Sequence, residues 1–257
     1  MKIGAYQFAI TSDINHNFDM IKKAVIEAYG QGVKLIVFPE CSLTGYPPRD
    51  IESSAQVDYE ALNIIYNYIQ VLADKFDIYI IVGSITQAEY QYFNSAIVFS
   101  PYKDSVVYNK RALWGWDRDN FTVGNGNGIV EIDGWKIGIR ICFEVRFPEF
   151  FRELYKENTD LNVIMFYDVA DFDDEGRYEL IKSHIRTRAV ENATYTLSVD
   201  SISPFQTAPT ALYDRSGSAL VELNRNKESL LVFELEKSEP DFGEQGRIEI
   251  SNTLIKS

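Results

Sequence analysis

Short apolar runs rich in Val, Ile, Phe and Tyr alternate with stretches of helical periodicity along almost the whole chain, and this alternation narrows the fold more than any other feature. Strands are expected over 2–8, 35–38 and 78–84, with helices over 18–31 and 58–76 between them. Two hairpins follow: 94–100 with 105–108 around a turn at 101–104, and 129–132 with 135–141 around Asp133-Gly134, a strong two-residue turn signal. A helix from Pro148, a strand over 163–167, a long helix over about 175–193 and strands near 195–201, 210–213 and 229–236 complete the order. The residues after Pro240 carry little periodicity of their own. No repeat, linker or low-complexity segment interrupts the pattern. The 257 residues, 46% hydrophobic, therefore read as one α/β domain with a sizeable core.

Composition excludes several partners. The formal charge of −13, with acidic residues scattered along the chain, argues against nucleic acid or an anionic membrane. No apolar run approaches the roughly 18 residues of a membrane span, and the N-terminus enters a strand with no signal-peptide pattern, so a cytoplasmic location is expected. Cys41 and Cys142 are the only cysteines, which gives no disulfide framework and fits a reducing compartment. His16 and His184 are too few and too separated for a metal site, and no cofactor is expected. The glycine-rich stretch 124–128 leads into a strand, not a helix, so it reads as a turn and not as a phosphate cradle.

Cys142 is the residue that points to chemistry. It ends the apolar run 137–141, and the Pro148-Glu149 helix start follows closely, so the sulfur is expected at a strand-to-helix turn where a thiolate is favoured. Neither histidine stands in a recognisable active-site loop, so a carboxylate or lysine must take the thiol proton. Glu40, which closes Leu35-Ile36-Val37-Phe38-Pro39, and Lys110, after the strand-like 105–109, are the candidates.

Three segments, in order, carry a resemblance: Val37-Phe38-Pro39-Glu40, Tyr108-Asn109-Lys110-Arg111, and Ile141-Cys142-Phe143-Glu144-Val145-Arg146-Phe147-Pro148-Glu149. Smaller matches lie at 3–7, 92–96 and 186–192. Together they resemble the nitrilase superfamily of carbon-nitrogen hydrolases over almost the whole chain. The resemblance implies a four-layer α-β-β-α sandwich and a cofactor-free hydrolase. It implies that Cys142 is the nucleophile and Glu40 the general base, with Lys110 and the Phe143 backbone N–H stabilising the oxyanion. Family members often carry a second glutamate four residues before a Phe-Thr-Pro-Gly-like segment. Here that segment begins at Phe121 and the matching residue is Asp117, one methylene shorter. Asp119 is the alternative, and a plain loop charge the third.

Phe143, Glu144 and Tyr167 are expected to contact substrate, although Glu144 is equally suited to an internal role and Arg146 is read as structural. Glu191 and Asn192 are expected to brace the scaffold. The run from Cys142 to Glu149 resembles the ω-amidase-like branch, which implies a dicarboxylic acid monoamide as substrate. Leu43-Thr44-Gly45-Tyr46-Pro47-Pro48-Arg49-Asp50 instead resembles the glutaminase part of glutamine-dependent NAD synthetases, with no synthetase domain expected. An N-carbamoyl compound, acyl transfer in place of hydrolysis, and a non-catalytic protein that kept the fold are the alternatives. The last draws its support from Asp117 and from the Trp114-Gly115-Trp116 departure in the same loop. A homodimer is expected from the resemblance.

Overall fold

The computed structural model describes residues 1–256. The first half of the chain runs β1 (Lys2–Gln7), α1 (Ile14–Gly30), β2 (Leu35–Val37), α2 (Tyr59–Phe76), β3 (Tyr79–Ala88), β4 (Gln91–Phe99), β5 (Val106–Asn109), α3 (Trp116–Asn120), β6 (Ile129–Ile132) and β7 (Trp135–Ile141). The second runs α4 (Pro148–Lys156), β8 (Leu161–Met165), β9 (Val169–Ala170), α5 (Glu175–Asn192), β10 (Tyr195–Val199), β11 (Phe205–Gln206), β12 (Ala211–Tyr213), β13 (Ala219–Glu222), β14 (Ser229–Glu234) and α6 (Phe242–Lys256). Two six-stranded sheets result, in the orders β14-β1-β2-β3-β4-β5 and β13-β12-β10-β8-β7-β6. Each has a parallel centre, β1-β2-β3 and β7-β8-β10, with antiparallel strands outside it.

The period-two alternation of the strands decides the layers. In β2, Leu35 and Val37 face the second sheet while Ile36 faces α1 and α2, and all three are fully buried. Ile137, Ile139 and Ile141 of β7 meet them from the other side of the inter-sheet core. The outer face of the second sheet packs on α4 and α5 through Phe151, Leu154, Ile181, Ile185 and Ala189. The stack is α-β-β-α, as expected. Helix starts follow from acceptor side chains: Asp13 caps α1, Asp58 caps α2 and Asp174 caps α5, each accepting a first-turn N–H. Among the described residues no helix is long and apolar enough to cross a membrane.

Several elements differ from expectation, among them the short strands β9, β11 and β13, which have no expected counterpart. The strand expected over 78–84 continues to Ala88 and turns directly into β4, because Glu89 adopts a left-handed φ of 54° that closes a tight hairpin. Trp116–Asn120 forms a short helix in what reads as a loop. The tail after Pro240 forms α6, whose Gly243 and Gly246 lower helix propensity in its early turns and hide it from a periodicity count.

Candidate active site

The ends of four strands meet at one edge of the sandwich. Glu40 follows β2, Lys110 follows β5, Cys142 follows β7 and Tyr167 follows β8. Two close approaches require glycine. A Cβ at Gly83 in β3 would overlap the carbonyl oxygen of Pro39, and one at Gly124 would overlap that of Asn109, so the loops that carry Glu40 and Lys110 both press on backbone that carries no side chain.

Lys110 is the centre of a buried cluster. Its Nζ lies 2.7 Å from Glu40 Oε1 and 2.8 Å from Asp117 Oδ2, and the three residues are 2%, 1% and 3% exposed. Glu40 is held by two further donors, Asn94 Nδ2 to Oε1 at 2.6 Å and the Tyr167 backbone N–H to Oε2 at 2.8 Å. Tyr46 Oη donates to Asp117 Oδ1 at 2.7 Å. The shorter aspartate thus reaches the ammonium directly, carried there by α3. Asp119, on the same helix, is exposed.

Cys142 sits at the junction of β7 and a single 3₁₀ turn, Cys142–Arg146, with a φ of 44°. That left-handed conformation is strained for a non-glycine residue and belongs to sharp functional turns. Glu144 holds the turn. Its Oε2 accepts the Ile141 N–H at 2.6 Å, and its Oε1 accepts the Arg111 N–H at 2.8 Å and the Tyr108 hydroxyl at 2.7 Å. Fully buried with both oxygens occupied, Glu144 lies behind the cysteine and outside the cleft. The expected substrate contact through Glu144 is therefore corrected to a brace for the nucleophile's loop. Phe143 and Tyr167 do line the cleft, and so does Arg146, which was read as structural.

Electrostatics set the resting protonation. Burial pushes the Glu40 carboxyl up, Lys110 opposes that and Asp117 adds to it, so Glu40 binds its proton above the usual carboxylate range. Burial acts against the charge of Lys110, but Glu40 and Asp117 prevail and hold it well above the ordinary lysine value. Burial and then Glu40 push the Cys142 thiol well up, against the pull of Lys110. Desolvation and the Glu40 charge thus oppose the thiolate that the strand-to-helix turn favours, while Lys110 supports it.

The cleft over Cys142 has a volume of about 560 Å³, with Tyr46, Trp114, Trp116, Phe143 and Tyr167 on its walls and Arg49, Arg146 and Arg177 among its polar residues. His16 and His184 do not line it. Among the described residues no group of three or more His, Cys, Asp or Glu side chains is arranged to hold a metal ion. A larger groove of about 780 Å³ runs along α6 and contains none of Glu40, Lys110, Asp117 or Cys142. Asn192 hydrogen-bonds the Arg188 carbonyl and Glu191 pairs with Arg188, both on α5, away from the cleft. The contact of Tyr46 with Asp117 is not foreseen from the sequence, because a tyrosine in a proline-rich loop carries no catalytic signal on its own.

Known proteins are similar to this chain over most of its length. A nitrilase from Pyrococcus abyssi is 27% identical over 72% of this chain and 69% of its own length. An (R)-stereoselective amidase from a Pseudomonas species is 24% identical over 79% of this chain and 71% of its own. A glutamine-dependent NAD(+) synthetase from Acinetobacter baylyi is 27% identical over 77% of this chain, which spans only 36% of that protein. Among solved structures, an amidase from Nesterenkonia superposes with a TM-score of 0.81 at 23% identity, covering 99% of this chain and 96% of that one. A cysteine-to-alanine mutant of that amidase, in complex with butyramide, gives 0.84 at 21% identity, covering 100% and 95%. The carbon-nitrogen hydrolase family profile matches residues 2–239, and on that match, over the segments that carry Glu40, Lys110, Asp117 and Cys142, the chain belongs to the carbon-nitrogen hydrolase family.

Proposed function

We propose that this protein is an amidase that cleaves the C–N bond of small linear amides through a thioester on Cys142. The observation that carries the reading is the buried Lys110 bridging Glu40 and Asp117 beside a strained cysteine that lines a cleft. Sγ attacks the amide carbon as Glu40 takes its proton. The oxyanion forms against Lys110 Nζ, which is buried and held by two carboxylates, and the Phe143 backbone N–H. Glu40 returns the proton to the departing nitrogen, and ammonia leaves. Water then attacks the thioester, Glu40 takes its proton, and the carboxylic acid departs as Sγ regains a proton.

The favoured substrate is the monoamide of a dicarboxylic acid. Arg49 pairs with Asp171, Arg177 with Asp168, and Lys110 with both catalytic carboxylates. Among the described residues Arg146 alone of the cationic side chains lining the cleft lacks an acidic partner. Its guanidinium rests over the Phe143 ring at 5.6 Å. It suits a distal carboxylate. An N-carbamoyl amino acid presents the same carboxylate, and its cleavage would release carbon dioxide as well as ammonia. A panel of monoamides, simple amides and ureido acids, assayed for ammonia with products weighed by mass spectrometry, separates these readings. Preference for amides bearing a distal carboxylate supports the first, and a wild-type protein that releases ammonia from none of them refutes the amidase reading. The intact geometry of all four charged and nucleophilic groups weighs against a non-catalytic protein. We also expect a homodimer.

A further inference from the structure

Tyr46 touches the catalytic cluster, yet no step above uses it. Its hydroxyl donates to Asp117 Oδ1 at 2.7 Å while Asp117 Oδ2 contacts Lys110, so the two oxygens of a carboxylate only 3% exposed are both occupied. The ring of Tyr46 stacks on Tyr167, with centroids 5.0 Å apart and planes 13° from parallel. Tyr167 is also the residue whose backbone N–H holds Glu40. Asp50 also holds this loop, accepting the Tyr46 N–H at 2.9 Å. Tyr46 therefore bonds the acid on one side of Lys110 and packs on the residue that fixes the acid on the other.

A buried carboxylate left with one oxygen unpaired would lose a charge-assisted hydrogen bond and gain freedom to rotate away from its cation. Aspartate at 117 has few positions from which it reaches Lys110, so that rotation matters. Burial, followed by the nearby negative charges of Asp117 and Glu40, holds the Tyr46 phenol far above its usual range against the pull of Lys110, so the hydroxyl remains a donor throughout the working pH range.

We propose that Tyr46, set in place by Asp50 and by its stack on Tyr167, is a positioning residue that fixes Asp117 and through it the ammonium of Lys110. This rests on the amidase reading for its catalytic meaning, but its test does not need a substrate. Tyr46→Phe keeps the ring and the stack and removes only the hydroxyl. The probe is iodoacetamide, with the rate of Cys142 alkylation followed against pH by mass spectrometry, alongside kcat/KM against pH for whichever amide the panel finds. Tyr46→Phe is expected to slow alkylation and kcat/KM roughly tenfold. The acid limb of both profiles should move to higher pH, because the cluster takes up its first proton more readily without that donor.

In an Asp117→Asn background the same substitution should add less than about a twofold change, since a residue acting through another has nothing left to act on. Tyr155→Phe, which removes a hydroxyl bonded to the Ile248 carbonyl far from the cleft, is the control and should alkylate at the wild-type rate. Wild-type rates and profile in Tyr46→Phe overturn the proposal. So does an equal loss in both backgrounds, which would make Tyr46 a cleft wall independent of Asp117. If Cys142 alkylates normally and the wild type hydrolyses no amide, the amidase reading fails while the Tyr46 comparison still gives its answer.

Discussion

Replacing Asp117 by asparagine tests a charged contact that the sequence left open. Lys110 Nζ lies 2.8 Å from Asp117 Oδ2, and at an effective dielectric of about 20 Coulomb's law gives roughly 6 kcal/mol for that pair. Only part of this reaches the rate, because asparagine still offers an oxygen to the ammonium and Glu40 still pairs with it at 2.7 Å. If somewhat under half is lost in the transition state, about 2.7 kcal/mol, acylation falls about 10²-fold. Stability should change little, because the cluster passes from a net charge of −1 to neutral and keeps one ion pair. The pH profile should move as well. Asp117 is one of the groups that raise Glu40, so its neutralisation should shift the acid limb to lower pH. The assay is single-turnover acylation by rapid quench, repeated from pH 5 to 9, with Asp119→Asn as the companion variant. Acylation within about threefold of wild type, with an unmoved profile, would show that Asp117 is not part of the machinery.

Three further outcomes are expected. Because burial and Asp117 raise Glu40, kcat/KM should rise with pH only above the usual carboxylate range, and His16→Asn and His184→Gln should leave that limb in place; a limb that disappears with either substitution contradicts a Glu-based proton transfer. Glu144→Ala strands the Ile141 N–H, the Arg111 N–H and the Tyr108 hydroxyl together, so urea unfolding should report a loss of about 3 kcal/mol or more, and a loss below about 1 kcal/mol would contradict the bracing role. Light scattering at micromolar concentration should give the mass of a homodimer, and a fully active monomer would refute it.

What the sequence made legible follows from where the side chains lie in the chain. Glu40, Lys110 and Cys142 each sit just beyond a strand. β2 is a central parallel strand of one sheet, β5 runs the same way as β2 through two antiparallel pairings, and β7 is a central parallel strand of the facing sheet, so ends that gather at one edge could be expected. Asp117 was identified by register alone. Its reach to Lys110 depends on α3, a short helix that begins at the exposed Trp116, two residues after the exposed Trp114, and that no periodicity marks. Glu144 misled because a carboxylate two residues from a nucleophile looks like a substrate contact, whereas the left-handed turn at Cys142 folds it back under the strand. The raised thiol was equally hidden, since it arises from the enclosure of Cys142 beside Glu40 and not from its position before a helix. Tyr46 and Asp50 become visible only when the loop after β2 crosses toward the loop after β8.

The central claim is a covalent bond from Cys142 to the acyl half of the substrate, and trapping it is the most direct test. The protein is mixed with a reactive amide, quenched in acid within milliseconds to seconds, weighed intact and mapped by peptide mass spectrometry. The account predicts a mass increase equal to the acyl group on the peptide containing Cys142, lost in Cys142→Ala and retained in Cys41→Ala. Adduct on Cys41, or steady turnover that persists in Cys142→Ala, would contradict it.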